Sequence, residues 1–530
     1  MLTVDDSIYR RLPCFLIATM DKFAAIPWEA RTGALFGKVD RADANGFFGP
    51  ADPSFGTKRL PNQLPPPDLI IQDELHLISG PLGTVAGLYE AVIEQLATRK
   101  LGNTIVRPKL VASTATVRRA QQQIKELFGR SLVSIFPPPG PDRNDSFFAR
   151  AFPPPQRAAR LYLGVSAPGR SLKVVMLRTY LALMGAAHQR YVAEGGDANH
   201  QNAADPYMTV LGYFNSLRDL GGSRRIIEDE VVSRLASMEQ YRRRVGESTA
   251  PAFKNRRIKY DPMELTSRET NAAVARAKTR LGNPFHDVDE RVDVAIATNM
   301  ISVGLDITRL GLMVVLGQPK TTAEYIQATS RVGRDDQRPG LVVTLLNVHK
   351  PRDRSHLERF EHFHQTFYRS VEATSVTPFS PRAIDRALVG VVVGLARQGQ
   401  PELTAPRAAL ELRNLRSSVD WVADALAERA TRAGHASEAP TVRARAQKVL
   451  DSWRDIAEEQ AGDNAGLQYQ REHGTDPALL HTPLDPALAS LGAPRDRFKA
   501  NRSLRDVEPN VNLFIRKLTA DGEGPELPET

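Results

Sequence analysis

The sequence predicts an α/β protein: two parallel-sheet domains in tandem, followed by a mainly helical C-terminal region. Three observations carry that expectation. Between residues 14 and 347, short apolar runs that stop at polar residues alternate with stretches of helical spacing, as in successive β-α-β units. The segment 136–157 holds two Pro-Pro-Pro triplets, which can continue neither a helix nor a central strand, so a domain boundary falls there. Strand-like runs cease near 350, and Ala, Arg, Leu and Glu dominate 382–461, which reads as helices. The expected division is 1–145, 146–350, a helical region over 351–518, and an acidic Gly/Pro-rich tail at 519–530 read as disordered.

Taken in order, Cys14–Ala18 (CFLIA) reads as a strand ending in Thr19 and Asp21, either of which can cap the following helix. Residues 37–67 are rich in Gly, Pro, Asn and Asp and predict an irregular loop. The apolar run after Asp68 is a short buried strand that stops at Asp73-Glu-Leu-His76. Ligands of open α/β sheets bind outside the carboxyl ends of strands, which places Asp73 and Glu74 to meet a metal–phosphate group. The same two acids would also suit a helix N-terminus. Helical spacing follows over 84–98, then a strand at 109–113 closing on Thr114-Ala-Thr116. Those hydroxyls can bond the neighbouring carboxylates or cap a helix over 117–128.

Past the proline-rich break, strands are expected at 160–165, 208–214, 263–266, 292–297, 311–316 and 341–347. Helices are expected at 171–193, 268–281 and from 321. His349, His356, His362 and His364 cluster in sequence, but no acidic or Cys partner falls at a convincing ligand spacing.

The bulk composition narrows the partners. Apolar content of 42% and charged content of 25% are those of a soluble protein. The longest apolar run, Ala387–Ala396, is about half a membrane span. The net charge of +9 favours an anionic partner. Residues 241–260 carry seven Lys/Arg against one Glu, which makes Arg242, Arg243, Arg244, Arg256 and Arg257 candidates for nucleic-acid backbone contacts. A solvated loop is the plainer alternative for such a run. The single cysteine, Cys14, excludes an intramolecular disulfide and a Cys-based zinc site, suits a small core position and fits a reducing cytoplasm, the expected location.

Asp73-Glu-Leu-His76, Thr114-Ala-Thr116, Thr298 with Gly304-Leu-Asp306, and Gln327-Ala-Thr-Ser-Arg-Val-Gly-Arg334 lie in this order at strand ends of two α/β domains. The set resembles the superfamily 2 helicases, with their DExH box, S/T-A-T motif and Q-x-x-x-R-x-G-R motif, over residues 14–347. The wording of 70–84, 297–334 and 503–509 is similar to the helicase subunits of DISARM anti-phage systems, a resemblance that reaches the C-terminal region.

The resemblance implies two RecA-like domains, the first incomplete, and an ATP-dependent DNA helicase or translocase. It implies ATP and Mg²⁺, double-stranded or partly single-stranded DNA and other defence subunits as partners, and no membrane. Asp73 would hold the Mg²⁺ of ATP and Glu74 would activate water, with His76, Thr114 and Thr116 coupling the nucleotide to the other domain. Arg331 and Arg334 would act as arginine fingers on the γ-phosphate, a use that suits the planar guanidinium. Gln327, Gly304 and Asp306 would lie near the nucleotide, and Thr19, Ser216 and Thr298 would touch the nucleic-acid backbone.

A motor of this kind also needs a P-loop, G-x-x-x-x-G-K-[ST]. None occurs in the 530 residues. Gly33 to Lys38 has one residue too few between its glycines, and Val39 stands where a hydroxyl must meet Mg²⁺. The chain is therefore expected to start inside the first motor domain, with an apolar edge at 14–18 that a further strand would cover. It is also expected to hydrolyse little or no ATP alone. A non-hydrolysing nucleic-acid- or partner-binding module derived from a helicase is the second reading.

Overall fold

The computed structural model describes residues 1–114, 120–138, 140–142, 145–150, 152, 159–248, 251–266, 268–298, 307–371, 375–472 and 475–504. The first segment gives strand β1 (Leu69–Gln72), helix α1 (Gly80–Ala97), strand β2 (Lys109–Ala112) and helix α2 (Ala120–Phe128). Next come β3 (Arg160–Val165), α3 (Leu172–Ala193), β4 (Val210–Phe214), α4 (Leu217–Ile226), β5 (Met263–Leu265) and α5 (Asn271–Gly282). They are followed by β6 (Val294–Ala297), β7 (Leu312–Leu316), α6 (Thr322–Thr329) and β8 (Gly340–Leu345). Three long helices complete the framework: α7 (Pro381–Gly399), α8 (Asp420–Ala433) and α9 (Ala439–Gly462).

These elements form two compact units, 136–372 and the combination of 1–135 with 373–530. The unit 136–372 is built on a six-stranded sheet in the order β5-β6-β4-β7-β8-β3, parallel at every pairing. Its central strands β4, β6 and β7 are buried at every residue. Alternate residues feed two cores: Leu211, Tyr213, Ala295, Met313 and Val315 on one face, Val210, Phe214, Ile296, Leu312 and Val314 on the other. Helix α3 covers the second face with Met176, Tyr180 and Met184, while α5 and α6 cover the first with Leu281 and Tyr325. Burial on both faces explains why these strands read as unbroken apolar runs. The strands expected from sequence are all present.

In the other unit the N-terminal segment and the three long helices share one core. Val391, Val392 and Trp453 of the helices pack in the same cluster as Ile26, Leu88 and Tyr89. The helical region thus does not stand alone: residues 351–371 lie in the 136–372 unit, and α7–α9 build around α1. Buried polar groups tie the two segments together. Arg397 on α7 donates to the carbonyls of Pro27 and Trp28 at 2.9 and 2.8 Å, and Gln398 donates to those of Ile26 and Glu29 at 3.0 and 2.9 Å.

Four expectations fail in this unit. Residues 14–18 form no strand, and Phe15 and Ile17 are 69% and 84% exposed, because no described strand pairs with their backbone. Cys14 is exposed rather than a core residue. The expected loop over 37–67 contains a small antiparallel sheet of Arg41–Asp43, Gly46–Phe48 and Lys58–Arg59. Strands β1 and β2 pair in parallel as a two-stranded sheet. Both were expected to be buried, but only Ile70 and Leu110 pack on the core, whereas Leu69, Ile71 and Val111 on the opposite face are exposed because no described layer covers that face.

Among the described residues no helix is long and apolar enough to cross a membrane, and no three His, Cys, Asp or Glu side chains group to hold a metal. His364, one of the four clustered histidines, is a packing residue. Its ring lies against Phe360 and Phe367, and its Nδ1 bonds the Phe360 carbonyl at 2.7 Å.

Candidate nucleotide site

The pairing of β1 with β2 brings the DELH segment against Ser113. Gln72 lies opposite Ala112, and the ladder extends one step as the Ser113 amide donates to the Gln72 carbonyl at 2.9 Å. Ser113 then donates its hydroxyl to Asp73 Oδ1, which also accepts the Glu74 amide at 2.9 Å. Both donors fall on one carboxylate oxygen. Oδ2 is left outside these bonds on an exposed side chain, a hard oxygen suited to Mg²⁺.

Glu74 has left-handed backbone, φ 51° and ψ 48°, an uncommon conformation for a residue with a Cβ. The twist turns the chain sharply into the short helix Leu75–Leu77, whose Leu75 is 2% exposed in the core. Gln123 on α2 holds that turn from beneath, donating to the carbonyls of Leu75 and Ile78 at 3.4 and 3.1 Å. His76 is nearly buried, with Nδ1 3.3 Å from Thr114 Oγ1 and 3.4 Å from Glu74 Oε2. Asp73, Glu74, His76 and Thr114 are therefore brought together. Thr116 lies outside the described residues.

The Gly33–Lys38 segment offers no phosphate cradle. It belongs to the short helix Ala30–Phe36, in which the Gly33 amide bonds Gln398 Oε1 at 2.8 Å. The Gly37 and Lys38 amides donate back to Ala34 and Gly33, each at 3.0 Å. Amides engaged this way cannot wrap a phosphate.

In the 136–372 unit, Gln327 lies on α6, and Arg331 and Arg334 follow it in a tight turn. Gly333 sits at φ +64°, where a Cβ would come within 2.5 Å of the Gly340 backbone, so only glycine fits the R-x-G-R turn. Arg160 on β3 braces it, donating to the Val332 carbonyl at 2.6 Å and the Ser330 carbonyl at 3.3 Å, and Arg334 Nε also donates to Ser330 at 2.9 Å. Gly304 and Asp306 lie outside the described residues.

The candidate nucleic-acid residues divide. Thr19 is exposed, and its side chain makes no cap bond. Ser216 is engaged in capping α4, accepting the Asp219 amide at 3.1 Å and donating to its carboxylate at 2.7 Å. Thr298 is buried at the end of β6. Arg242, Arg243, Arg244 and Arg257 are exposed. Arg256 is an interior residue, 3% exposed, paired with Asp293 at 2.7 Å and donating to the Met208 carbonyl at 2.6 Å. It serves the fold, which corrects its assignment to the nucleic-acid surface. Ser113, Gln123 and Arg160 escaped sequence reasoning as site residues. The hydroxyl of Ser113 was visible at a strand end, but its pairing with Asp73 depends on sheet register.

The chain matches the family described as the helicase conserved C-terminal domain over residues 227–336. It is 41% identical over 474 residues to the DISARM protein DrmA of Bacillus paralicheniformis, an alignment covering 88% of this chain and 40% of that protein. The chain is thus similar to DrmA over most of its own length and to the helicase C-terminal domain over 227–336. It spans about 40% of the length of that relative. Among solved structures, the DUF1998 helicase MrfA bound to DNA is similar at 14% identity and a TM-score of 0.42, covering 71% of this chain and 38% of that one. The helicase Lhr of Mycobacterium smegmatis, bound to ssDNA and AMP-PNP, is similar at 16% identity and a TM-score of 0.37, covering 65% and 38%. The helicase match falls inside the six-stranded unit and ends just past Arg334.

Proposed function

We propose that this chain is part of an ATP-dependent DNA helicase or translocase of a DISARM-like anti-phage defence system, working in the cytoplasm with other defence subunits. The single observation that carries the reading is the 41% identity to DrmA across 88% of the chain. The strand-end carboxylates support it. Asp73, oriented by two donors, would hold Mg²⁺ on ATP, and Glu74 would take the proton of the attacking water. His76, Thr114 and Thr116 would couple the nucleotide to the rest of the motor. Arg331 and Arg334 would neutralise charge on the γ-phosphate, with Gln327, Gly304 and Asp306 close to the nucleotide. Exposed Arg242–Arg244 and Arg257, with Thr19, Ser216 and Thr298, would contact the nucleic-acid backbone.

The residues present fit a metal–phosphate group at Asp73, but the amides of Gly33, Gly37 and Lys38 are engaged and supply no phosphate cradle. These 530 residues on their own therefore turn over little or no ATP. The second reading, a nucleic-acid- or partner-binding module that does not hydrolyse ATP, rests on the engaged amides at Gly33–Lys38.

DNA-stimulated ATPase of the purified chain, with Glu74→Gln as control, tests both. Turnover abolished by Glu74→Gln would establish the enzyme and overturn the expectation of inertness alone. If adding a P-loop-bearing segment of a DrmA relative also fails to give turnover, the binding-module reading stands.

A further inference from the structure

Four guanidinium groups converge on one carboxylate in the unit formed by 1–135 and 373–530. Glu94, on α1, accepts Arg429 at 2.5 Å and Arg432 at 3.0 and 3.1 Å. Its Oε1 also lies 3.3 Å from both Arg107 and Arg130. Two other carboxylates are within reach. Glu428 is 60% exposed and touches Arg107 and Arg432 at 3.2 and 3.4 Å. Glu90 is buried on α1, and burial pushes its carboxyl up to about 7, so it carries only part of a charge near neutrality. Four cations thus face one full, one solvated and one partial anion.

The hydrogen bonding is unbalanced in the same direction. A carboxylate offers about four lone-pair sites, whereas each guanidinium brings five N–H donors. Arg429 turns other donors to the carbonyls of Leu127 and Phe128, and Arg130 gives one to Pro108 at 3.2 Å. The Nε groups of Arg130 and of the fully buried Arg429 still have no acceptor. Arg107 and Arg130 hold Nη1 outside all these bonds, on side chains 30% and 25% exposed.

We propose that the face formed by Arg107, Arg130 and Arg432 around Glu94 is a phosphate-binding site. A tetrahedral oxyanion would balance the excess charge and accept the spare Nη1 donors of Arg107 and Arg130, as arginine forks do for phosphate. This site is distinct from the Asp73 end: Arg107 precedes β2 and Ser113 follows it, so the two lie at opposite ends of one strand, roughly 20 Å apart. The phosphate comes either from a nucleic-acid backbone, which rests on the proposed function, or from free phosphate, which does not.

Two measurements test the site. Inorganic phosphate, at matched ionic strength, should raise the unfolding temperature of the wild-type chain but not of R107Q/R130Q. A fluorescent oligothymidylate should bind R107Q/R130Q roughly tenfold more weakly than wild type, and phosphate should compete only for wild type. Glu428→Gln removes a solvated competitor and should tighten binding of both probes, an outcome opposite to that of a folding defect. Protection by phosphate without an oligonucleotide effect keeps the site and assigns it to free phosphate, leaving the nucleic-acid reading to fail separately. Equal behaviour of wild type and R107Q/R130Q toward both probes overturns the site. If R107Q/R130Q does not fold, wild-type protection with tightening by Glu428→Gln supports it, and the absence of both overturns it.

Discussion

Ser113 donates its hydroxyl to Asp73 Oδ1 across the ends of two parallel strands, so one strand's last side chain orients the other's carboxylate. Ser113→Ala leaves the Glu74 amide as the donor to that oxygen. Because the pair is exposed, the stability loss should stay within about 1 kcal/mol. In a polypeptide that also contains a P-loop, ATP turnover should fall with a higher Mg²⁺ requirement. A Mg²⁺ titration of ATPase activity checks it.

Glu74 pays for its position with left-handed backbone. Glu74→Gly should stabilise the unit by about 1 kcal/mol, while Glu74→Gln should leave stability unchanged and remove the proposed base. All three tryptophans, Trp28, Trp421 and Trp453, lie in the unit formed by 1–135 and 373–530, so their fluorescence follows that unit alone during denaturation.

Gly333→Ala should unfold or loosen the six-stranded unit. The added Cβ would meet the Gly340 backbone at a positive φ, at a cost of roughly 2–4 kcal/mol. Circular dichroism should show the loss while tryptophan fluorescence changes little.

Arg256 and its exposed neighbours should separate cleanly. Arg256→Ala strands Asp293 in the interior and should cost about 3–5 kcal/mol. Replacing Arg242–Arg244 and Arg257 with Ala should change stability by under about 0.5 kcal/mol each, yet weaken DNA binding and flatten its salt dependence. Binding isotherms across a salt series decide the second half.

Glu90 and His188 should contribute pH dependences of opposite sense. Glu90, raised by burial from 4.5 to about 7, keeps its proton longer folded than unfolded. Its contribution to stability is therefore lost as pH rises from about 4.5 to about 7, by about 3 kcal/mol at most, and Glu90→Gln should remove that loss. His188 in the six-stranded unit is lowered to about 4, first by burial and then by Arg256 and Lys254. It resists protonation when folded, so that unit loses stability as pH falls from 6.5 toward 4. Urea melts at several pH values, followed by fluorescence and by circular dichroism, distinguish the two.

The six-stranded unit was legible residue by residue because its parallel strands are buried on both faces and read as apolar runs. The strand-end motifs were legible for a related reason: a polar residue directly after such a run has little to do except meet a ligand or cap a helix. The segment 14–18 has the same apolar look and is not a strand, since composition does not report whether a neighbour exists to pair with it.

The Asp68–His76 and Gln327–Arg334 segments, the helices after 380 and the absence of a phosphate loop were determined by the amino-acid sequence itself. Tertiary structure alone decided that residues 24–128 share a core with helices more than 250 positions away. It also decided that Arg256 is buried while Arg257 is not, and that Ser113 holds Asp73. Periodicity and strand ends are local properties, set by backbone geometry within a few residues. Partner choice for a charge or a hydroxyl depends on which distant segment packs beside it, and that information appears only once the chain has folded.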